Sequence, residues 1–295
     1  MWHNVCVQIF GVTVVLKNFF NISDISEVAV DRSALALVNG NPWDMHRPLQ
    51  EECSLELIHF HDRDPFHLNK AFWRSCSFLL GYACQAVFSQ HIPLQLHSFP
   101  PPNGKLFSYC TDQESRYKFL IQFSVHSGSF VYDIDLGGYQ WNPTKEELMV
   151  ISAKMHRLAE EEIPFERLVV DQLQAREMFS GNEHKLKQIP DIAKKSPSGT
   201  AVTLYRVKDH IDISSGPMMA NTSFLGRRCT VAAAIPFEAN GTSVYRFQGV
   251  ALPKGIFLNH AAFGILEKRA SRLVSITKLY YNSHSSYIGF YFVSE

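Results

Sequence analysis

Residues 35–44 read LALVNGNPWD. Leu35, Leu37 and Val38 make a short apolar run, and Asn39-Gly40-Asn41-Pro42 behind it supplies the residue types that tolerate positive φ and stop a strand, so a strand closed by a tight turn is expected. Outward from this stretch, Leu55, Leu57 and Ile58 alternate as a strand does, and upstream Val5, Val7 and Ile9 alternate before a β-branched run at 12–16. Short strands joined by tight turns predict a small β-rich unit over residues 1–64, of β-grasp or similar design.

From Pro65 the period changes. Phe72, Trp73, Cys76, Leu79, Leu80, Ala83, Val87 and Phe88 recur at spacings of three and four, which predicts a long amphipathic helix over 66–89. Beyond the loop at Pro100-Pro101-Pro102, strands are expected at 106–109, 117–126 and 130–136. A helix is expected over 144–162, with Glu146 and Glu147 in its first turn, where the helix dipole favours acids, and Pro164 past its end. Shorter helices at 171–179 and 183–193, strands at 202–207 and 230–235 and a last helix at 259–279 complete the pattern. Strands and helices mixed without a strict βαβ repeat indicate an α+β fold.

The chain has 295 residues, 46% apolar and 13% aromatic, with 28 basic and 28 acidic side chains. That size allows two or three compact units, and the composition excludes a disordered or fibrous chain. The most apolar stretch, 5–16, is broken by Gln8 and Gly11 and falls short of the roughly 18 residues a membrane span requires, so no membrane partner is expected. Cys6, Cys53, Cys76, Cys84, Cys110 and Cys229 lie far apart without a Cys-x-x-Cys pair, which removes zinc ribbons and disulfide frameworks and favours a reducing compartment. His59 and His61 alternate and would share a face if the strand before them continued, but no third residue has metal-ligand spacing. No Gly-rich phosphate loop with its Lys-Ser/Thr is present.

The neutral total hides an asymmetry. Residues 1–65 hold four Lys/Arg against nine Asp/Glu, a net of −5, whereas residues 182–280 hold fourteen against six, a net of +8. A basic segment of this kind is an electrostatic footprint for a polyanion.

A resemblance runs through these segments. Leu37 to Asp44, Arg47-Pro48-Leu49 and Leu55-Glu56-Leu57 resemble the end of the TGS domain of threonyl-tRNA synthetase, a β-grasp unit; Trp73 to Gly81 resembles the first helix of that enzyme's editing domain. Pro164 to Arg167, Glu177 to Asn182 with Lys185-Leu186, Leu204-Tyr205-Arg206 through Gly216-Pro217, and Tyr245 to Ala251 are similar to the remainder of that domain, in one order over residues 30–252. The first 30 residues fit a TGS start only weakly. The resemblance implies an N-terminal TGS-like domain at 1–64, an editing-like α+β domain at 65–252 and a C-terminal helical extension at 253–295.

The family's chemistry rests on a His-x-x-x-His and a later Cys-x-x-x-His, and the matching positions here are Arg74, Phe78, Ser214 and Met218. A guanidinium has no lone pair, a phenyl ring neither proton nor ligand atom, and a thioether cannot act as a base near neutral pH. The four could not replace zinc's imidazole and thiolate ligands either. No catalytic residue, metal, cofactor or small-molecule substrate is therefore expected. Some 40 residues follow Ala251, too few for an aminoacylation core.

Such a chain, TGS-like and editing-like with a lost site, resembles a family of mitochondrial large-subunit ribosomal proteins, on Asn41 to Met45, Trp73 to Cys76, and Arg246 to Val250 with Leu252-Pro253. That resemblance implies ribosomal RNA of the large mitochondrial subunit and neighbouring mitochondrial ribosomal proteins as partners, on the ribosome of the matrix. No transit peptide is legible, since the first arginine is Arg32. The RNA-binding candidates are Lys185, Lys187, Lys194, Lys195, Arg227, Arg228, Lys268, Arg269 and Arg272, the last three expected on the side of the final helix opposite Ile265, Leu266 and Leu273. Two alternatives stay open: a freestanding editing hydrolase using relocated residues such as His67, His210 and Asp212, and a tRNA- or RNA-binding module outside the ribosome.

Overall fold

The computed structural model describes residues 4–9, 12–17, 32–49, 53–62, 66–88, 91–99, 105–106, 121–122, 129–239 and 242–282. Strands β1 (Asn4–Ile9) and β2 (Val12–Lys17) pair antiparallel, and β3 (Leu35–Val38), β4 (Asn41–Trp43) and β5 (Leu55–Ile58) form a sheet in the order β4-β3-β5, with β1 beside β5. The turn between β3 and β4 has Asn39 at φ 50° and Gly40 at φ 75°, the two positive values that an Asn-Gly hairpin turn needs. Asn39 Oδ1 accepts the Ser54 N–H at 2.9 Å and ties the turn to the strand entering from the other side. Pro42, which has no N–H to give, sits in an edge strand.

Helix α1 (Phe66–Val87) follows, then β6 (Gln95–Ser98), the short pair β7 (Lys105–Leu106) and β8 (Ile121–Gln122), and β9 (Ser129–Asp135). Helix α2 (Lys145–Glu160) opens on a capping box in which Thr144 and Glu147 exchange side-chain to backbone hydrogen bonds. After it come β10 (Glu166–Asp171), α3 (Gln172–Met178), α4 (Glu183–Lys194), β11 (Ala201–Val207), β12 (His210–Ile213), a 3-10 turn at Thr222–Leu225, β13 (Arg228–Ala239), β14 (Thr242–Leu252) and α5 (His260–Asn282).

The main sheet is antiparallel in the order β13-β14-β9-β6, and a smaller antiparallel sheet runs β10-β11-β12. Alternation along β14 divides its side chains between two layers. Tyr245, Phe247 and Ala251 join the core shared with α1 and α2, whereas Val250 meets Phe263 and Ala270 of α5 on the other face. The smaller sheet is backed by α3 and α4 through Ala175, Ile189, Ala193, Val202, Leu204 and Ile213. The main core continues into the N-terminal sheet, taking in Leu35, Ala36, Leu55 and Ile58.

Expected and observed helices agree in place, the long one ending at Val87 instead of residue 89. Strands β4, β6, β10, β12 and β14 were not legible as strands, Asn41 and Pro42 of β4 having been expected in the turn, and β13 runs beyond its expected end at 235. The expected strands at 106–109 and 117–126 coincide with the structure at 106 and 121–122, and the rest of both lies outside the described residues, as does the domain boundary at 64–65. His59 and His61 do not share a strand face: β5 ends at Ile58, and the Asp62 carboxylate accepts the His59 N–H at 2.6 Å in the turn that follows. Among the described residues no group of His, Cys, Asp or Glu could hold a metal.

Asp44, just past β4, reaches out of the N-terminal sheet into the larger body. The Tyr205 hydroxyl on β11 lies 2.9 and 2.8 Å from its two oxygens, and the Met218 N–H donates to Oδ1 at 2.9 Å. Burial pushes the Asp44 carboxyl up, while the bonds from Met218 and Tyr205 and the charge of Arg167 pull it down. Gly216 permits the arrangement: its φ is +62°, and a Cβ there would lie 1.8 Å from the Tyr205 hydroxyl. His46 adds a second tie, its Nε2 lying 2.9 Å from the Ala220 carbonyl. Asp44→Ala is expected to lower unfolding free energy by about 3 kcal/mol, because it strands a buried hydroxyl and a buried N–H, against about 1 kcal/mol for Tyr205→Phe. Urea midpoints at unchanged slope measure both.

Candidate functional site

The cleft that the sequence singles out lies between α1 and the chain from β12 to the 3-10 turn. Arg74, Phe78, Tyr82 and Gln85 recur at helical spacing on one side of α1. Arg74 Nη1 donates to the Pro217 carbonyl at 2.7 Å. Ser75 donates to the Ala71 carbonyl and accepts the Met219 N–H, both at 2.9 Å, with Met218 Sδ 3.5 Å away. Phe78 is fully buried between Phe165 and His210, ring centres 5.7 and 4.6 Å apart. Met218 is 1% exposed, and Ser214 Oγ accepts the Gly216 N–H at 3.3 Å. The structure thus joins Arg74 to the loop that carries Met218 and sets Phe78 against the strand that leads to Ser214. Two apolar side chains and a salt-free guanidinium contact fill the positions where the resemblance implies imidazoles.

Within this cleft neither Ser75 nor Ser214 has a histidine as hydrogen-bond partner among the described residues; the one Ser–His contact, Ser98 Oγ with His97 Nδ1 at 2.8 Å, lies on β6. His210 Nδ1 faces Gln85 Oε1 at 2.6 Å, which makes that nitrogen the proton carrier and leaves Nε2 buried among rings without a hydrogen-bond partner among the described residues. Burial pushes the His210 pKa down to about 4, with Asp212 opposing, so the ring is neutral and a weak base. His67 rests its ring on Phe66 near the start of α1, eleven residues from Phe78 and about 16 Å along the helix. His67, His210 and Asp212 are therefore not assembled into a site.

A polar cluster that the sequence reading missed lies beside the cleft. Lys185 Nζ is 2.5 Å from Asp212 Oδ1, the Tyr132 hydroxyl donates to Oδ2, and the Ile213 N–H donates to Oδ1 at 2.7 Å. Lys185 is 2% exposed and Asp212 fully buried, so Lys185 is not an RNA contact as expected but half of an ion pair linking α4, β12 and β9. A signal existed: Lys185, Ile189 and Ala193 recur at i, i+4 and i+8, the buried face of α4. A second buried pair, Arg246 with Asp133, is bidentate at 2.7 and 2.7 Å across β14 and β9.

The other basic candidates separate. Lys187, Lys194 and Lys195 are exposed on or just past α4, which packs on β6 and β11, although Lys187 lies 4.0 Å from Glu183. Arg227, Lys268 and Arg269 are exposed at the other end of the main sheet, where α5 packs on β13 and β14. Arg228 is half-buried over the Phe263 ring at 5.4 Å, and the Arg272 side chain lies outside the described residues. Ile265 does not stand on the buried side of α5 as expected: it is 65% exposed, and Phe263, Leu266 and Ala270 face the sheet.

No family model matches the chain. A mixed α+β body whose cleft is packed with its own side chains is the class these features define. The chain is 26% identical over 233 residues to a probable cytoplasmic threonine–tRNA ligase of Dictyostelium discoideum, and 27% identical over 242 residues to the mitochondrial threonine–tRNA ligase of Rattus norvegicus. It spans 28% of the length of each of these ligases. It is also 48% identical over 251 residues, 84% of its own length and 68% of the relative's, to the large ribosomal subunit protein mL39 of Drosophila melanogaster. The chain belongs to the mL39 family of large ribosomal subunit proteins.

The buried histidine generates a pH dependence. Neutral His210 is favoured in the fold, and its pKa falls from 6.5 to about 4, so the unfolded chain binds the extra proton first as pH drops. About 3 kcal/mol of stability is expected to be lost between pH 6.5 and 4, and the urea midpoint of His210→Gln should change less over that window.

Proposed function

We propose that this chain is a non-catalytic structural component of the mitochondrial large ribosomal subunit, bound to ribosomal RNA and to neighbouring ribosomal proteins in the matrix. The observation that carries the reading is the 48% identity to the Drosophila mL39 protein over most of the chain. The filled cleft supports it, because Phe78 and Met218 occupy space where a deacylase would admit substrate and water. The order of the N-terminal strands, with β1 beside β5 and β5-β3-β4 following, supports a TGS-type β-grasp over 1–64, with an editing-like domain over 65–252 and a helical extension over 253–295. Proteins keep such bodies after losing chemistry because packing in a core is indifferent to what happens at a cleft.

Two surfaces would meet RNA, one from Lys187, Lys194 and Lys195 and one from Arg227, Lys268 and Arg269. Amines and guanidiniums of this kind neutralise phosphates without reading sequence. The purified chain is expected to co-sediment with large mitochondrial subunits through a high-salt gradient. Its triple variant Arg227→Gln, Lys268→Gln, Arg269→Gln should bind large-subunit ribosomal RNA several-fold more weakly, with a salt slope lower by about two. Wild-type affinity in that variant, with the fold intact, removes this surface from the reading.

The same preparation is expected to leave seryl-tRNA intact beyond the uncatalysed rate. Arg74→His, Phe78→His, Ser214→Cys and Met218→His together should not restore hydrolysis, since His210 and Phe165 already pack against position 78. Efficient deacylation by the natural chain overturns the non-catalytic reading, and efficient deacylation by the fourfold variant alone shows a nearly intact cleft and weakens the scaffold reading.

A further inference from the structure

Where the N-terminal unit meets the larger body, three guanidinium groups gather around one carboxylate. Asp44 is already engaged by Tyr205 and the Met218 N–H, so Arg167 Nε stays 3.5 Å from Oδ2, long for a charge-assisted bond. Arg47 stacks its guanidinium 3.5 Å over the Trp43 ring. Its charge is disfavoured first by burial and then by Arg167, which places the two cations within repelling distance. Arg74 stands behind them with one nitrogen on the Pro217 carbonyl. Among the described residues no acceptor lies within hydrogen-bond distance of the Arg47 guanidinium or of the terminal nitrogens of Arg167. The neighbouring carboxylate, Glu166, is taken by Arg206 and also feels His46. Among the described residues three positive charges therefore face one negative charge, and Arg167 keeps 23% of its side chain exposed.

We propose that Arg47 and Arg167, with Arg74 behind them, bind a phosphate of an RNA backbone at this seam. The proposal rests on the ribosomal reading and adds to it a contact that the acidic sum of residues 1–65 conceals. Fully charged like groups brought together in a half-buried place need a counter-charge, and planar guanidinium forks are the donors best matched to phosphate oxygens. The forks come from three elements, the loop after β4, α1 and β10. The acceptor sites of a tetrahedral phosphate are not confined to one plane as those of a carboxylate are, so forks arriving from three elements can share it. The stacking of Arg47 on Trp43 limits the rotamers it must give up on binding.

The test uses the full chain and a transcript of large-subunit mitochondrial ribosomal RNA, with affinity measured across a potassium chloride series. Arg47→Gln with Arg167→Gln should weaken binding several-fold and lower the salt slope by about one, additively with changes at Lys268 and Arg269. Arg47→Lys with Arg167→Lys should keep the slope while losing part of the affinity, which separates charge from folding. An unchanged slope in the Gln variant, with a wild-type urea midpoint, overturns the proposal. Loss of slope in the Lys variant overturns it as well, since charge is retained there. So does binding of polyglutamate that the Gln variant abolishes while RNA affinity is untouched, the result expected of a site for an acidic protein. If the wild type binds no ribosomal RNA, the broader RNA reading fails together with this site.

Discussion

A carboxylate that has left water must find donors, and Asp44 finds them only in the body to which its own sheet is docked. Tyr205 and the Met218 N–H lie 161 and 174 residues away along the chain, so their bonds form only when the N-terminal unit and the larger domain are seated together. Much else follows from that seating. Gly216 has to be without a side chain to let the tyrosine through, Met218 is held in the cleft by its own backbone, and Arg47, Arg74 and Arg167 are drawn to the same point. An unpaired buried carboxylate is costly, which makes this contact selective for one docking geometry.

The larger body is held by the same logic at two further places. Lys185 with Asp212 and Tyr132, and Arg246 with Asp133, are ion pairs almost fully removed from solvent. Buried pairs of this kind add little net stability against an apolar core, but breaking one leaves an uncompensated charge at a cost of about 3–5 kcal/mol. They therefore tie α4 and β12 to β9, and β9 to β14, in a fixed register. Around them the cleft is packed with apolar side chains, Phe78 and Met218 among them.

Local elements were legible because their determinants are local. The three-and-four spacing from Phe72 to Phe88, the Thr144 and Glu147 cap and the Asn39-Gly40 turn each depend on residues within one or two turns of chain. Strands β10 and β14 were harder. β10 leaves Leu168 and Val169 exposed on opposite faces, and β14 is buried on both, so neither offers the alternation that marks a half-buried strand. The identities of Arg74, Phe78, Ser214 and Met218 were legible too, since they do not depend on where those residues lie.

Charge was different. Counting along the chain located a basic segment, yet Lys185 and Arg246 within it are buried, and Arg206, Lys208 and Lys254 pair with Glu166, Glu161 and Glu162. Lys187, Lys194 and Lys195 stand at the opposite end of the main sheet from Arg227, Lys268 and Arg269. Asp133 neutralises Arg246 from 113 residues away, and no window of sequence contains both. The sequence by itself determined the helices and the turns, because those follow from side-chain identity and short-range spacing. Only the tertiary structure decided which cations face water and which face a carboxylate, because electrostatic partners are chosen by distance in space.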